Sequence, residues 1–62
     1  MNVVGERFIS SAGINYTVTD EKGPSARRYL YKCIKDSGGF TWFSRKEILN
    51  YIIEQTKAEL FD

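Results

Sequence analysis

The chain contains no histidine and one cysteine, Cys33. A zinc site takes about four Cys or His ligands and a disulfide takes two cysteines. Neither staple can form within one chain, and no metal is expected. Nucleophilic catalysis of the serine or cysteine type pairs its nucleophile most often with histidine, so that chemistry is set aside too. Cys33 reads as a small buried hydrophobe, which fits a reducing, cytoplasmic setting. No apolar run approaches the roughly 18 to 20 residues of a membrane span, and the start Met-Asn-Val-Val-Gly-Glu-Arg lacks the hydrophobic stretch of a signal peptide. Neither membrane attachment nor export is expected. Glycine-rich phosphate loops are absent as well, because the two glycines of Asp36-Ser37-Gly38-Gly39 are accounted for by a hairpin turn. Asp20 and Glu21 are adjacent on a polar loop and read as solvated charges rather than a catalytic pair. The expectation is a non-enzyme without a cofactor.

What remains is a 62-residue chain with 42% hydrophobic and 15% aromatic residues spread along its length. That composition excludes disorder. A chain of this size buries only about 60% of its unfolded surface, so residues 1–62 form a single small domain that rests on packing alone.

Turn chemistry divides the chain into elements. Val3 to Ile9 mixes β-branched and aromatic residues and meets Ser10-Ser11-Ala12-Gly13, giving a first strand over about 3–9 and a turn. Ile14, Tyr16 and Val18 alternate with Asn15, Thr17 and Thr19, which predicts a half-buried strand over 14–19. Asp20 to Ser25 is a polar loop around Gly23-Pro24. A third strand follows over 27–35, and its parity is open. Tyr29, Tyr31 and Cys33 share one face, while Leu30 and Ile34 share the other with Arg28 and Lys32. Gly38-Gly39 can supply the positive φ angles of a tight turn, and Phe40 to Phe43 is the return strand. Ser44 and Glu47 form a capping box, flanked by Phe43 and Ile48 at staple spacing. Ile48, Leu49, Ile52, Ile53, Thr56 and Leu60 then recur at helical spacing over 45–60. The fold class is α+β: an antiparallel meander of three to four strands packed by one C-terminal helix. Large apolar side chains on both faces of the third strand also raise self-association, with a homodimer hiding the second face.

The net charge is +1, but its distribution is uneven. Residues 1–46 carry eight Lys/Arg against four Asp/Glu, a balance of +4, and residues 47–62 carry one Lys against four acids, a balance of −3. Basic residues interleave with aromatics at Arg27, Arg28, Tyr29, Tyr31, Lys32, Lys35, Trp42, Arg45 and Lys46, the combination that nucleic-acid binders use for phosphates and bases. Arg45 and Lys46 stand in the first helical turn, where the macrodipole disfavours cations. Alternation sends Trp42 and Phe43 to opposite faces, so one of them lies away from the helix as a contact for a protein or a base.

The segment Arg28-Tyr29-Leu30-Tyr31-Lys32-x-Ile34 resembles the central strand of the arm-site DNA-binding domain of tyrosine integrases, related to AP2-like domains. Gly5-x-x-Phe8, Gly13-x-x-Tyr16-x-Val18 and Asp36-Ser37-Gly38 are similar to small phage-encoded proteins with such a sheet. The resemblance spans residues 5 to 53 by element order. It implies a sheet face, opposite the helix, that enters the DNA major groove with Asn15, Thr17, Arg28 and Lys32. Together with Lys35, Arg45 and Lys46 these are the expected nucleic-acid contacts. The alternative is a protein-interaction module, an inhibitor of a host protein, with Tyr29, Tyr31 and Trp42 as contacts.

Overall fold

A computed structural model describes residues 2–27 and 29–61, with side chains for all but Arg27 and residues 58–61. Four strands, β1 (Arg7–Ile9), β2 (Asn15–Lys22), β3 (Leu30–Lys35) and β4 (Phe40–Ser44), precede one helix, α1 (Arg45–Phe61). The strands form one antiparallel sheet in the order β1-β2-β3-β4, the expected meander.

β1 starts later than the sequence pattern indicated, because the chain turns at Gly5. That glycine has φ +87°, and the Glu6 N–H donates to the Val3 carbonyl at 3.1 Å. The turn takes Val3 out of the strand and into the core, where it is buried. β2 runs on to Lys22 through residues whose polarity reads as loop. A register shift between Val18 and Lys22 absorbs the change. Thr19 anchors this irregularity: its hydroxyl donates to the Lys32 carbonyl at 2.8 Å and accepts the Glu21 N–H at 3.3 Å. Short side-chain bonds of this kind let polar residues hold a bulged strand in place. β3 begins at Leu30 rather than 27, since Ser25–Arg27 form a single 3-10 turn after Pro24.

The parity left open in β3 is resolved by burial. Cys33 is fully buried and Tyr31 packs against the core, whereas Lys32 and Ile34 lie on the face away from the helix. Phe8, Tyr16, Val18, Cys33 and Phe43 from the sheet meet Ile48 from α1 and Val3 from the N-terminal turn. Rings dominate this core. Phe8 stacks on Tyr16 and Tyr51, with centroids 5.3 and 5.4 Å apart, and meets Phe43 edge-on at 5.2 Å. In a flat sheet β1 and β4 would stand roughly 14 Å apart, three interstrand spacings of about 4.8 Å. Contact between Phe8 and Phe43 therefore requires the sheet to curl around the aromatic group, with the outer face convex.

The helix starts where its cap dictates. The Glu47 N–H donates to Ser44 Oγ at 3.2 Å and the Ser44 N–H donates to Glu47 Oε1 at 3.1 Å, so the two side chains satisfy each other's orphan donors. Phe43 and Ile48, on either side of the cap, are both buried in one cluster. The apolar stripe differs from its sequence reading. Tyr51 joins the core and Gln55 reaches β1, while Ile53 is 51% exposed and Thr56 returns its hydroxyl to the Ile52 carbonyl. The core-facing side runs through residues 48, 49, 51, 52 and 55, a helical spacing that a partly polar side chain can complete. Leu60 lies outside the described side chains.

Two substitutions test this architecture. Ser44→Ala should cost about 0.5–2 kcal/mol in chemical denaturation through loss of the cap. Phe8→Ala, at the centre of the ring cluster, should cost about 3–5 kcal/mol; a loss below that of the cap variant would mean that the cluster does not hold the curl.

Candidate binding face of the sheet

Strand alternation divides the side chains between two faces. The helix side holds the core, and the outer face presents Arg7 and Ile9 from β1, Asn15 and Thr17 from β2, Lys32 and Ile34 from β3, and Phe40 and Trp42 from β4. Register fixes the neighbours: Thr17 stands between Arg7 and Ile34, Ile34 opposite Phe40, and Lys32 opposite Trp42. The apolar members adjoin. Phe40 meets Trp42 edge-on at 5.6 Å, and Phe40 and Ile34 are 49% and 43% exposed. Ile9 continues the apolar character on β1.

The cations of this face are engaged. Lys32 Nζ sits 3.2 Å from Glu21 Oε2 and 4.4 Å from the centroid of the Phe40 ring. Its stem lies against the patch, so the side chain is only 25% exposed. Arg7 forms an ion pair with Asp36 and reaches Thr17 Oγ1 at 3.4 Å. Each of these two cations thus carries an acid beside it, and the apolar side chains gather on β3 and β4 at one side of the face.

The expected contacts are dispersed rather than gathered. Asn15, Thr17, Lys32 and Trp42 share the outer face. Lys35 does not join Lys32, because residues three apart in a strand point to opposite sides; it pairs with Tyr16 on the helix side. Tyr31 also lies on that side, with Lys22 Nζ 3.2 Å above its ring. Tyr29 is 66% exposed in the turn before β3 and belongs to no patch. Arg45 and Lys46 are exposed in the first turn of α1. Arg28 lies outside the described residues. Sequence reasoning missed Ile34 and Phe40 as surface residues, since hydrophobicity alone does not separate the two faces of a strand that is apolar on both.

Beside this face, a shallow depression brings Gly13, Ile14 and Asn15 from the first hairpin next to Asp36 and Ser37 of the last. The Asp36 carboxylate there is held by Arg7. Among the described residues no group of three or more His, Cys, Asp or Glu is placed to hold a metal ion, and no helix is long and apolar enough to cross a membrane. Comparison with family models, curated proteins and solved structures finds no match to this chain.

Cys33 is a side chain whose ionisation is clearly altered. Burial pushes its thiol up to about 11 from an ordinary 9.0, and the nearby negative charge of Glu47 adds to the shift. The thiol is therefore protonated at neutral pH and a poor nucleophile. An unfolded Cys33 loses its proton near pH 9 while the folded thiol keeps it to about pH 11, so deprotonation favours unfolding as pH rises through that window. Denaturant stability should fall more steeply between pH 9 and pH 11 for the wild-type chain than for Cys33→Ala. Equal slopes would show that the thiol does not feel its burial.

Proposed function

We propose that the chain is a small, non-catalytic binding module whose outer sheet face takes a protein partner. The supporting observation is the make-up of that face: Ile34, Phe40 and Trp42 form an apolar patch on β3 and β4, and among the described residues its cations Arg7 and Lys32 are already ion-paired with Asp36 and Glu21. Phosphate binding draws its energy from cations that shed small counterions, and a lysine or arginine neutralised by a carboxylate contributes less. Protein interfaces instead bury aromatic anchors inside a polar rim. A convex face with two aromatic side chains and ion-paired cations suits the second chemistry.

Nucleic-acid binding, with its major-groove or strand-stacking contacts, is the second reading. It draws on Phe40 and Trp42 as flat surfaces and on the cations Lys32, Arg45 and Lys46 around them. A phage or mobile-element role belongs with this reading and rests on the integrase-like resemblance of the third strand.

The two readings separate by salt. Titration with duplex and single-stranded oligonucleotides should give no binding whose logarithm falls steeply with log salt. A slope near 0.9 per phosphate, reduced by about two units in an Arg7→Ala/Lys32→Ala variant, would establish the nucleic-acid reading instead. For a protein partner, Phe40→Ser or Trp42→Ser should weaken binding by about 2 kcal/mol or more, the range of an interface anchor. Retained affinity in both variants would move the interface elsewhere.

A further inference from the structure

The two edges of the sheet are not equally protected. β1 is three residues long, bears Arg7, and has the outward N–H of Ile9 hydrogen-bonded to Gln55 Oε1 of α1 at 3.4 Å. These are the devices by which an edge avoids pairing with another chain: shortness, charge and cover. Among the described residues β4 carries neither charge nor cover. Its five residues, Phe-Thr-Trp-Phe-Ser, include no charge, no proline and no irregularity in their register with β3.

Which backbone groups of β4 face outward follows from its ladder. The Lys35 N–H donates to the Gly39 carbonyl at 3.0 Å, which makes Lys35 and Gly39 a hydrogen-bonded pair. Such pairs alternate along antiparallel strands, so the next two are Cys33↔Thr41 and Tyr31↔Phe43. Phe40, Trp42 and Ser44 direct their N–H and C=O away from β3. Ser44 is occupied, since its N–H donates to Glu47 and its position as N-cap commits its carbonyl to the helix. No other described residue hydrogen-bonds the outward groups of Phe40 and Trp42.

We infer that β4 pairs with β4 of a second copy of this chain, antiparallel about a two-fold axis at Thr41, to give one continuous eight-stranded sheet. In that register Phe40 of each copy lies opposite Trp42 of the other, and both outward pairs of backbone groups are satisfied. The aromatic side chains then meet across the axis on the outer face, as cross-strand aromatic pairs do. The guarded β1 edge stops the assembly from extending head to tail, so the pairing closes as a dimer rather than growing into a fibre. The pairing rests on the backbone edge of β4, so the inference does not depend on what the rest of the outer face binds.

Amide exchange on the wild-type chain and sedimentation equilibrium, both from low micromolar to millimolar concentration, test this directly. A monomer–dimer equilibrium is expected, in which the Phe40 and Trp42 amides gain protection in step with dimer population. Thr41 and Phe43, bonded to β3 in either state, are protected throughout. Trp42→Pro removes an N–H that the monomer's own ladder does not use, and proline is tolerated at such edge positions. This variant should remain folded and monomeric where the wild type is dimeric, and Trp42→Phe should restore the dimer. If the proline variant fails to fold, the exchange data on the wild type decide. A monomeric mass across the range, a mass beyond the dimer, or a dimer that leaves the Phe40 and Trp42 amides unprotected would each overturn the inference.

Discussion

The contact between Phe8 on the first strand and Phe43 on the last holds this fold together. Two edge strands of a four-stranded sheet do not touch unless the sheet bends, and the rings of Phe8, Tyr16, Phe43 and Tyr51 supply the reason to bend. Aromatic side chains bury more area than any others. A short chain with a single cysteine gains most of its core from a few of them. The curl then sets everything outside it. It makes the outer face convex, and it brings β1 under α1, where Gln55 covers its edge.

The same bend leaves a second set of large side chains outside the core. Ile34, Phe40 and Trp42 sit on strands whose other face is already committed to the core, and one helix cannot cover both sides. Their neighbours Lys32 and Arg7 lie across or beside them with acids attached. Such exposed ion pairs contribute little to stability. Their effect is to set paired charge on the same face as the apolar side chains.

Edge chemistry and face chemistry meet at β4. Its backbone has outward donors and acceptors at Phe40 and Trp42, and the same two residues carry the aromatic side chains of the outer face. A strand of this kind is usually blunted by a charge or a bulge. Here the irregularity lies instead at the far end of β2, where Thr19 pins the shifted register to β3.

Order and type of the elements were legible in the sequence because they depend on local chemistry. The Ser44/Glu47 box fixes the helix start through atoms three residues apart, and Gly38 and Gly39 adopt the positive φ angles that a reversal at that point demands. The alternation of Ile14 to Thr19 likewise marked a strand with one buried face. Other features depended on residues distant in the chain. Nothing local to Leu30–Lys35 says which face meets the helix, since both carry apolar side chains; that was decided when Cys33 paired beside Val18 and Thr41 in the closed core. Tyr51 entered the helix stripe because Phe8 stacks on it, and Lys32 and Lys35 parted because β3 is a strand with a core on one side only. Local chemistry settled where the chain turns and what each segment forms. Which apolar residues are hidden and which are left exposed depended on the curl, because that outcome rests on contacts between segments dozens of residues apart.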